Sequence, residues 1–287
     1  MTAVYKKEIK TYLNGMTGAI VVSFLLLMTG IYMVAYNIMG LYPNFELTVA
    51  QTSFIYVLAV PVLTMRSIAE EKHSKTDQLL YSLPMKMTDI VLAKYFAMVT
   101  VIAVPCLIMC FYPLILGSFG ASSLKAAYAT IFAFFLLGCA LVAIGMFISS
   151  LTESQVIAAV VSLAVMLLLN FMSAISTLVP DDAGASLAGF ILLALLVGVI
   201  VQVMTKNSAA AVSVGVILIA GVILVYIADQ SLFVGAIPKL LSAIALFDRL
   251  SPFQQGLFDL TAVIFWISTA ALFVYLTVQS MEKKRWM

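Results

Sequence analysis

The sequence predicts an all-α integral membrane protein of about eight transmembrane helices, with both termini on the cytoplasmic side. Three observations predict it. Of the 287 residues, 64% are hydrophobic and 10% charged, with a mean hydropathy of +1.15, whereas soluble domains are about a quarter charged. Eight apolar runs, at approximately 17–40, 48–65, 90–116, 125–149, 155–179, 185–205, 208–228 and 259–281, approach or exceed the roughly 20 residues that carry a helix across about 30 Å of hydrocarbon. With the N-terminus inside, twelve of the fifteen Lys and Arg residues fall on one side and only Lys125, Lys239 and Arg249 on the other. Basic residues are retained on the cytoplasmic side in this way.

The elements follow in order within a single transmembrane domain, residues 1–287. Residues 1–16 read as an interfacial helix, with Val4, Ile9, Tyr12 and Leu13 set against Lys6, Lys7 and Lys10. The apolar run after them is too long for a signal sequence and lacks a small-residue cleavage pattern, so it is an uncleaved first span. Residues 66–89 form a polar connection between the second and third spans. Residues 183–228 hold two apolar runs separated only by Lys206 and Asn207, a tight transmembrane hairpin. Six or eight spans both keep the termini inside, so the hairpin is where the count can change. Residues 229–258 read as an outer-face amphipathic segment, with Ile237, Leu240, Leu241, Ile244 and Phe247 on one stripe and Pro238 in the first turn.

Composition also removes several function classes. A formal charge of +2 is too small to imply nucleic acid as a partner. Cys106, Cys110 and Cys139 have no CxxC pair and no histidine cluster, so they read as small core residues and no metal site is expected. No GxxxxGK[ST] loop cradles phosphates, and the lone His73 has no HExxH or GxSxG context. No catalytic residue and no cofactor are expected in this chain. All thirteen acids sit in loops or within a turn of a span end, which leaves a proton or cation carrier without an obvious relay. Asn170 and Gln202, the most polar mid-span residues, read as helix–helix hydrogen-bond partners.

The densest charge lies in "RSIAEEKHSKTDQLLYSLPMKMTDIVLAK", which carries nine charged side chains from Arg66 to Lys94 inclusive. That is too long for a simple turn. Ser74 and Asp77 fit an S-x-x-D capping box, the next turns bring Leu79, Leu80 and Leu83 to one side, and Pro84 stops the helix. Thr88 and Asp89 then recap the chain. Charges of both signs around an apolar corner suit recognition by a protein surface better than by anionic lipid.

These residues resemble those of ABC-2 type permeases, in which an Arg, paired Glu residues, a Thr and a Leu-Leu precede a Ser-x-Pro and a Lys-containing third span. "KKEIKTYLNGMTGAIVVSFLLLMTGIYM", "GMFISSLTESQVIAAVVS" and "LFDRLSPFQQGLFDLTAVIFWISTAALFVYLTVQSMEKKRW" are similar to other stretches of that family, and the gliding-motility-associated branch is the nearest in pattern. The resemblance covers roughly residues 1–178 and 246–287. Such permeases usually have six spans, so residues 179–245 are a departure that inserts the hairpin.

The resemblance implies the permease subunit of an ATP-driven exporter in a bacterial inner membrane. Two permease chains, identical or different, would pair there. Each would receive a separate ATPase subunit that holds the ATP and Mg, with lipid around them and an accessory envelope protein as a further partner. It implies that residues 66–89 contain the coupling helix, with Glu70, Glu71, Thr76, Leu79 and Leu80 in the ATPase cleft and Arg66 and Lys94 as membrane-edge anchors. The apolar path favours a hydrophobic or amphipathic cargo. A membrane scaffold that tethers an ATPase or envelope factors without transporting a solute is the alternative, and an ion-coupled carrier is a third reading.

Overall fold

The computed structural model of the chain describes residues 1–76, 86–118, 123–205 and 208–285, and among these all regular structure is helical. Each of the eight apolar runs falls in helix. In chain order the helices are α1 (Thr2–Asn14), α2 (Met16–Tyr32, continuing as a π-helix over Met33–Met39), α3 (Phe45–Ser53), α4 (Tyr56–Thr64) and α5 (Ala69–His73). Next come α6 (Met87–Met109), α7 (Tyr112–Ser118), α8 (Leu124–Leu151), α9 (Gln155–Leu178), α10 (Ala183–Thr205) and α11 (Ser208–Ala228). The last are α12 (Ala236–Ile244), α13 (Ser251–Gln254) and α14 (Leu260–Arg285).

Among the described residues, five helical stretches are long and apolar enough to cross a membrane, or seven if two bent pairs each count as one span. The eight expected runs are thus all present as helix; a sharp bend interrupts the second, and another follows the run over 208–228. The second bends by 50° between α3 and α4. There the Thr52 hydroxyl bonds back to Thr48 O at 2.8 Å and the Ser53 hydroxyl to Ala50 O at 2.6 Å, a pattern that bends helices. Pro61 inside α4 removes a further donor. After α11 the axis turns by 117°, because Asp229 accepts from Ser231 N–H at 2.9 Å to start a 3-10 turn and Gly235 then takes a left-handed φ of +66°.

The chain divides into two compact units, residues 1–170 with 246–287, and residues 171–245. In the first, α8 is the central helix: 78% of its most apolar window is buried, against 28–33% for the other four unbroken spans. Its Gly138 and Gly145 sit against α4, where an added Cβ would overlap the Tyr56 ring and the Thr64 side chain respectively. Small residues let helix backbones approach closely in a membrane, where packing rather than apolar burial drives association. Tyr56 stacks on Phe134 of α8 at 4.3 Å. From α14, fully buried Trp266 donates its indole N–H to Leu246 O at 3.2 Å.

At Gly15 the chain turns, and α1 folds back on the first span so closely that a Cβ at Gly18 would overlap the Tyr12 backbone. It lies along α6, with the Tyr5 hydroxyl 2.9 Å from Thr100 Oγ1. Its inner stripe is Tyr5, Glu8, Ile9 and Tyr12, the i, i+3, i+4, i+7 set of one face. This corrects the expected stripe: Leu13 is 51% exposed, and the carboxylate Glu8 is buried instead.

In the second unit α10 and α11 pair, and the 3-10 turn Gln230–Phe233 and α12 close on α10. Buried Phe233 meets the rings of Phe190 and Tyr226 edge-on at 5.5 and 5.3 Å. Gly235 N–H donates to Asp181 O at 3.0 Å. The amphipathic stripe predicted over 237–247 is shorter than expected. Ile237 is buried beside Gly189, but Leu240 and Ile244 are exposed, and the helix ends at Ile244, before Phe247.

Candidate functional site

The polar connection between α4 and α6 is built around α5, whose five residues, Ala-Glu-Glu-Lys-His, are too few to hold themselves together. Their neighbours hold them. Ser149, near the end of α8, accepts the N–H groups of Ile68 and Ala69 at 3.3 and 3.1 Å and donates its own proton to Met65 O. The first donors of α5 are thereby satisfied by a hydroxyl from another helix. One turn on, the buried Lys72 ammonium donates to Ser150 O, also in the last turn of α8, where a cation is favoured by the helix dipole. The Ser74 hydroxyl closes the other end by donating to Glu70 O at 2.8 Å, and Lys75 leaves the helix at a left-handed φ of +55°.

Lys94 stands seven residues inside α6 and is 2% exposed. Its ammonium donates to Glu71 Oε1 at 2.7 Å, to Ser67 O at 2.9 Å and to Glu8 Oε1 at 3.1 Å, which uses all three of its protons. A buried ammonium is tolerable only when paired and hydrogen-bonded in this way. The result joins α1 through Glu8, the coupling region through Ser67 and Glu71, and α6 through Lys94 itself. Tyr12 is buried beside the cluster; burial pushes its phenol pKa up, and the negative charge of Glu8 pushes it the same way. The cluster forms one wall of a polar cleft of about 280 Å³ lined also by Lys7, Thr11, Tyr12, Arg66 and Glu70. Among the described residues Glu71 Oε2 has no hydrogen-bond partner.

The structure separates the residues expected at this site. Glu70 and Thr76 are exposed, and the Thr76 hydroxyl lies 3.0 Å from Ser74 Oγ. Glu71 faces inward to Lys94. Arg66 is exposed, with Nη1 3.4 Å from Thr17 Oγ1 of α2. Leu79 and Leu80 lie outside the described residues, as do Asp77, Leu83 and Pro84. The expected Thr88–Asp89 recap shifts slightly: α6 starts at Met87 with Lys86 before it, and Asp89 lies in its first turn.

Lys94, expected as a membrane-edge anchor, lies within the span Met87–Gly117 and faces protein rather than lipid. Sequence reasoning missed Glu8, Lys72, Ser149 and Ser150. Glu8 shares a helical stripe with Tyr5 and Tyr12 and could have been found from that spacing. The two serines look like ordinary span-end residues until the fold brings α5 against them. Among the described residues no group of His, Cys, Asp or Glu is placed to hold a metal ion.

These features define a multi-pass helical membrane protein with a structured polar element clamped between its second and third spans. Residues 43–180, just under half of the chain, match the sequence model of the family described as ABC-2 family transporter protein. The matched segment runs from the start of α3 to just past α9 and includes Arg66, Glu70, Glu71, Thr76, Leu79, Leu80 and Lys94. The resemblance to ABC-2 permeases is thus borne out at the level of the family. No curated protein matches the chain.

Proposed function

We propose that this chain is the permease subunit of an ATP-driven ABC-2 exporter of a bacterial inner membrane. A separate ATPase subunit, which holds ATP and Mg, docks on the coupling region, and a second permease chain completes the membrane unit. The observation that carries this reading is the division of labour on α5. Glu70 and His73 point outward, while Glu71 and Lys72 point inward and tie the same turn to α1, α6 and α8.

An element so tied passes displacement to the spans instead of absorbing it. ATPase closure against the outer face of α5 moves Lys94 with α1 and α6, and Ser149 and Ser150 with α8. Nucleotide then shifts a two-state equilibrium of the bundle through contacts that differ between the states. On this reading Glu70 touches the ATPase and Glu71 is a positioning residue behind it.

The test is affinity purification of the detergent-solubilised protein from its native membrane, beside Glu70→Lys, with mass spectrometry of what accompanies each. Wild type should bring down an ATPase subunit that the variant loses. A chain that purifies without any ATPase under gentle conditions overturns the reading and favours an ion-coupled carrier. An ATPase whose turnover responds to assembly but to no cargo favours the scaffold alternative.

A further inference from the structure

A second polar site lies in the first unit at the break between α3 and α4. It is a cavity of about 490 Å³ whose wall includes Gln51, Phe54, Asn170, Phe247, Asp248, Ser251 and Gln254, within the roughly 300–1,000 Å³ of small-molecule pockets. Three elements build it. The α3–α4 bend turns Gln51 and Phe54 toward it. Asn170 comes from α9, eight residues short of that helix's end. The segment 247–254 is held against the bundle because Phe253 O accepts from the Thr130 hydroxyl at 3.1 Å and the Phe253 ring lies 6.0 Å from that of Trp266.

The content of this cavity sets it apart from three other pockets between helices, which are walled almost wholly by apolar side chains. Three carboxamides, one carboxylate and the Ser251 hydroxyl converge here, and none of these five side chains bonds to another residue among those described. Asn170, read from sequence as a helix–helix partner, has no such bond. Gln51, Asp248 and Ser251 are exposed and Asn170 and Gln254 half-buried, so their hydrogen-bonding capacity is open to a ligand entering the cavity.

Charge then selects the ligand. Asp248 is the single charged residue of the wall. The adjacent Arg249 is occupied elsewhere, with its guanidinium 3.8 Å from the centre of the Phe265 ring. Amide and hydroxyl oxygens can accept protons from an ammonium, and two aromatic residues, Phe54 and Phe247, stand beside them as in other cation sites. An anion would meet Asp248 with no compensating base.

We propose that this cavity binds a ligand bearing an ammonium group, with Asp248 as its charge partner and Gln51, Asn170, Ser251 and Gln254 as hydrogen-bonding partners. The site is a property of the permease chain alone and does not depend on the ATPase reading.

The test uses the full chain in neutral maltoside detergent without an ATPase, with choline and ethanolamine as probes and glucose and inorganic phosphate as controls. Calorimetry and the unfolding temperature are both read. At least one amine should bind saturably, phosphate and glucose should not, and Asp248→Asn should weaken amine binding about tenfold or more while leaving the unliganded unfolding temperature unchanged. Should that variant not fold, Ser251→Lys, at an exposed position, places a base in the wall and should abolish amine binding. Absence of binding by both amines, binding that survives both substitutions, or binding of phosphate or glucose in their place overturns the proposal.

Discussion

Glu71 Oε1 lies 2.7 Å from the ammonium of Lys94, 23 residues further along the chain, so α5 is ion-paired to the span that follows it. Glu8 completes the cluster from the N-terminal helix. Removing the cation leaves two carboxylates facing each other in a buried site, so Lys94→Ala should destabilise the protein by about 3–5 kcal/mol. Glu8→Gln and Glu71→Gln should each cost less, because the other carboxylate still neutralises the ammonium. Unfolding in detergent with a Glu8/Glu71 double-mutant cycle checks both statements.

Close packing of α4 on α8 gives a second expectation. Gly145→Ala puts a methyl group into the Thr64 side chain, and overpacking of this kind typically costs about 1–3 kcal/mol. Thr64→Ala in the same chain removes the overlapping hydroxyl and methyl and should recover much of that loss. Additive effects of the two changes would contradict the contact.

Tyr12 supplies a pH dependence. Burial raises its pKa in the folded protein, whereas in the unfolded chain it titrates near the ordinary value of about 10. Its contribution to stability is therefore complete below that pH and is lost as pH rises above it, by up to about 1.4 kcal/mol per pH unit. The unfolding temperature should fall above about pH 10, and Tyr12→Phe should fall less steeply than wild type.

Topology is open to a direct check with an impermeant thiol reagent on intact cells, in a background lacking the native cysteines. His73→Cys should be protected and label only after permeabilisation, while Ser231→Cys should label from outside. Both positions are exposed. Labelling of the two from the same side would contradict the orientation drawn from the lysines and arginines.

Most helix positions were legible because lipid demands long apolar runs, and each of the eight runs is helical. The breaks were less so. Ser53 and Thr52 bend the second run through local hydroxyl bonds, which weigh little in a hydropathy window. At the candidate site the charged stretch itself was readable, but the direction of each side chain was not. Glu70 and Glu71 are neighbours in sequence, yet one faces out and the other pairs with Lys94. That difference depends on where α1 and α8 pack, and the distances of 86 residues from Glu8 to Lys94 and 78 from Lys72 to Ser150 leave no local trace.

The central claim is that the outward face of α5 receives an ATPase, and the most direct measurement is site-specific photocrosslinking in native membranes. A benzoylphenylalanine replacing Glu70 should yield an adduct with a nucleotide-binding subunit, identified by mass spectrometry, while the same probe replacing Ser231 should not. No adduct from position 70, or the same adduct from both positions, would contradict the claim.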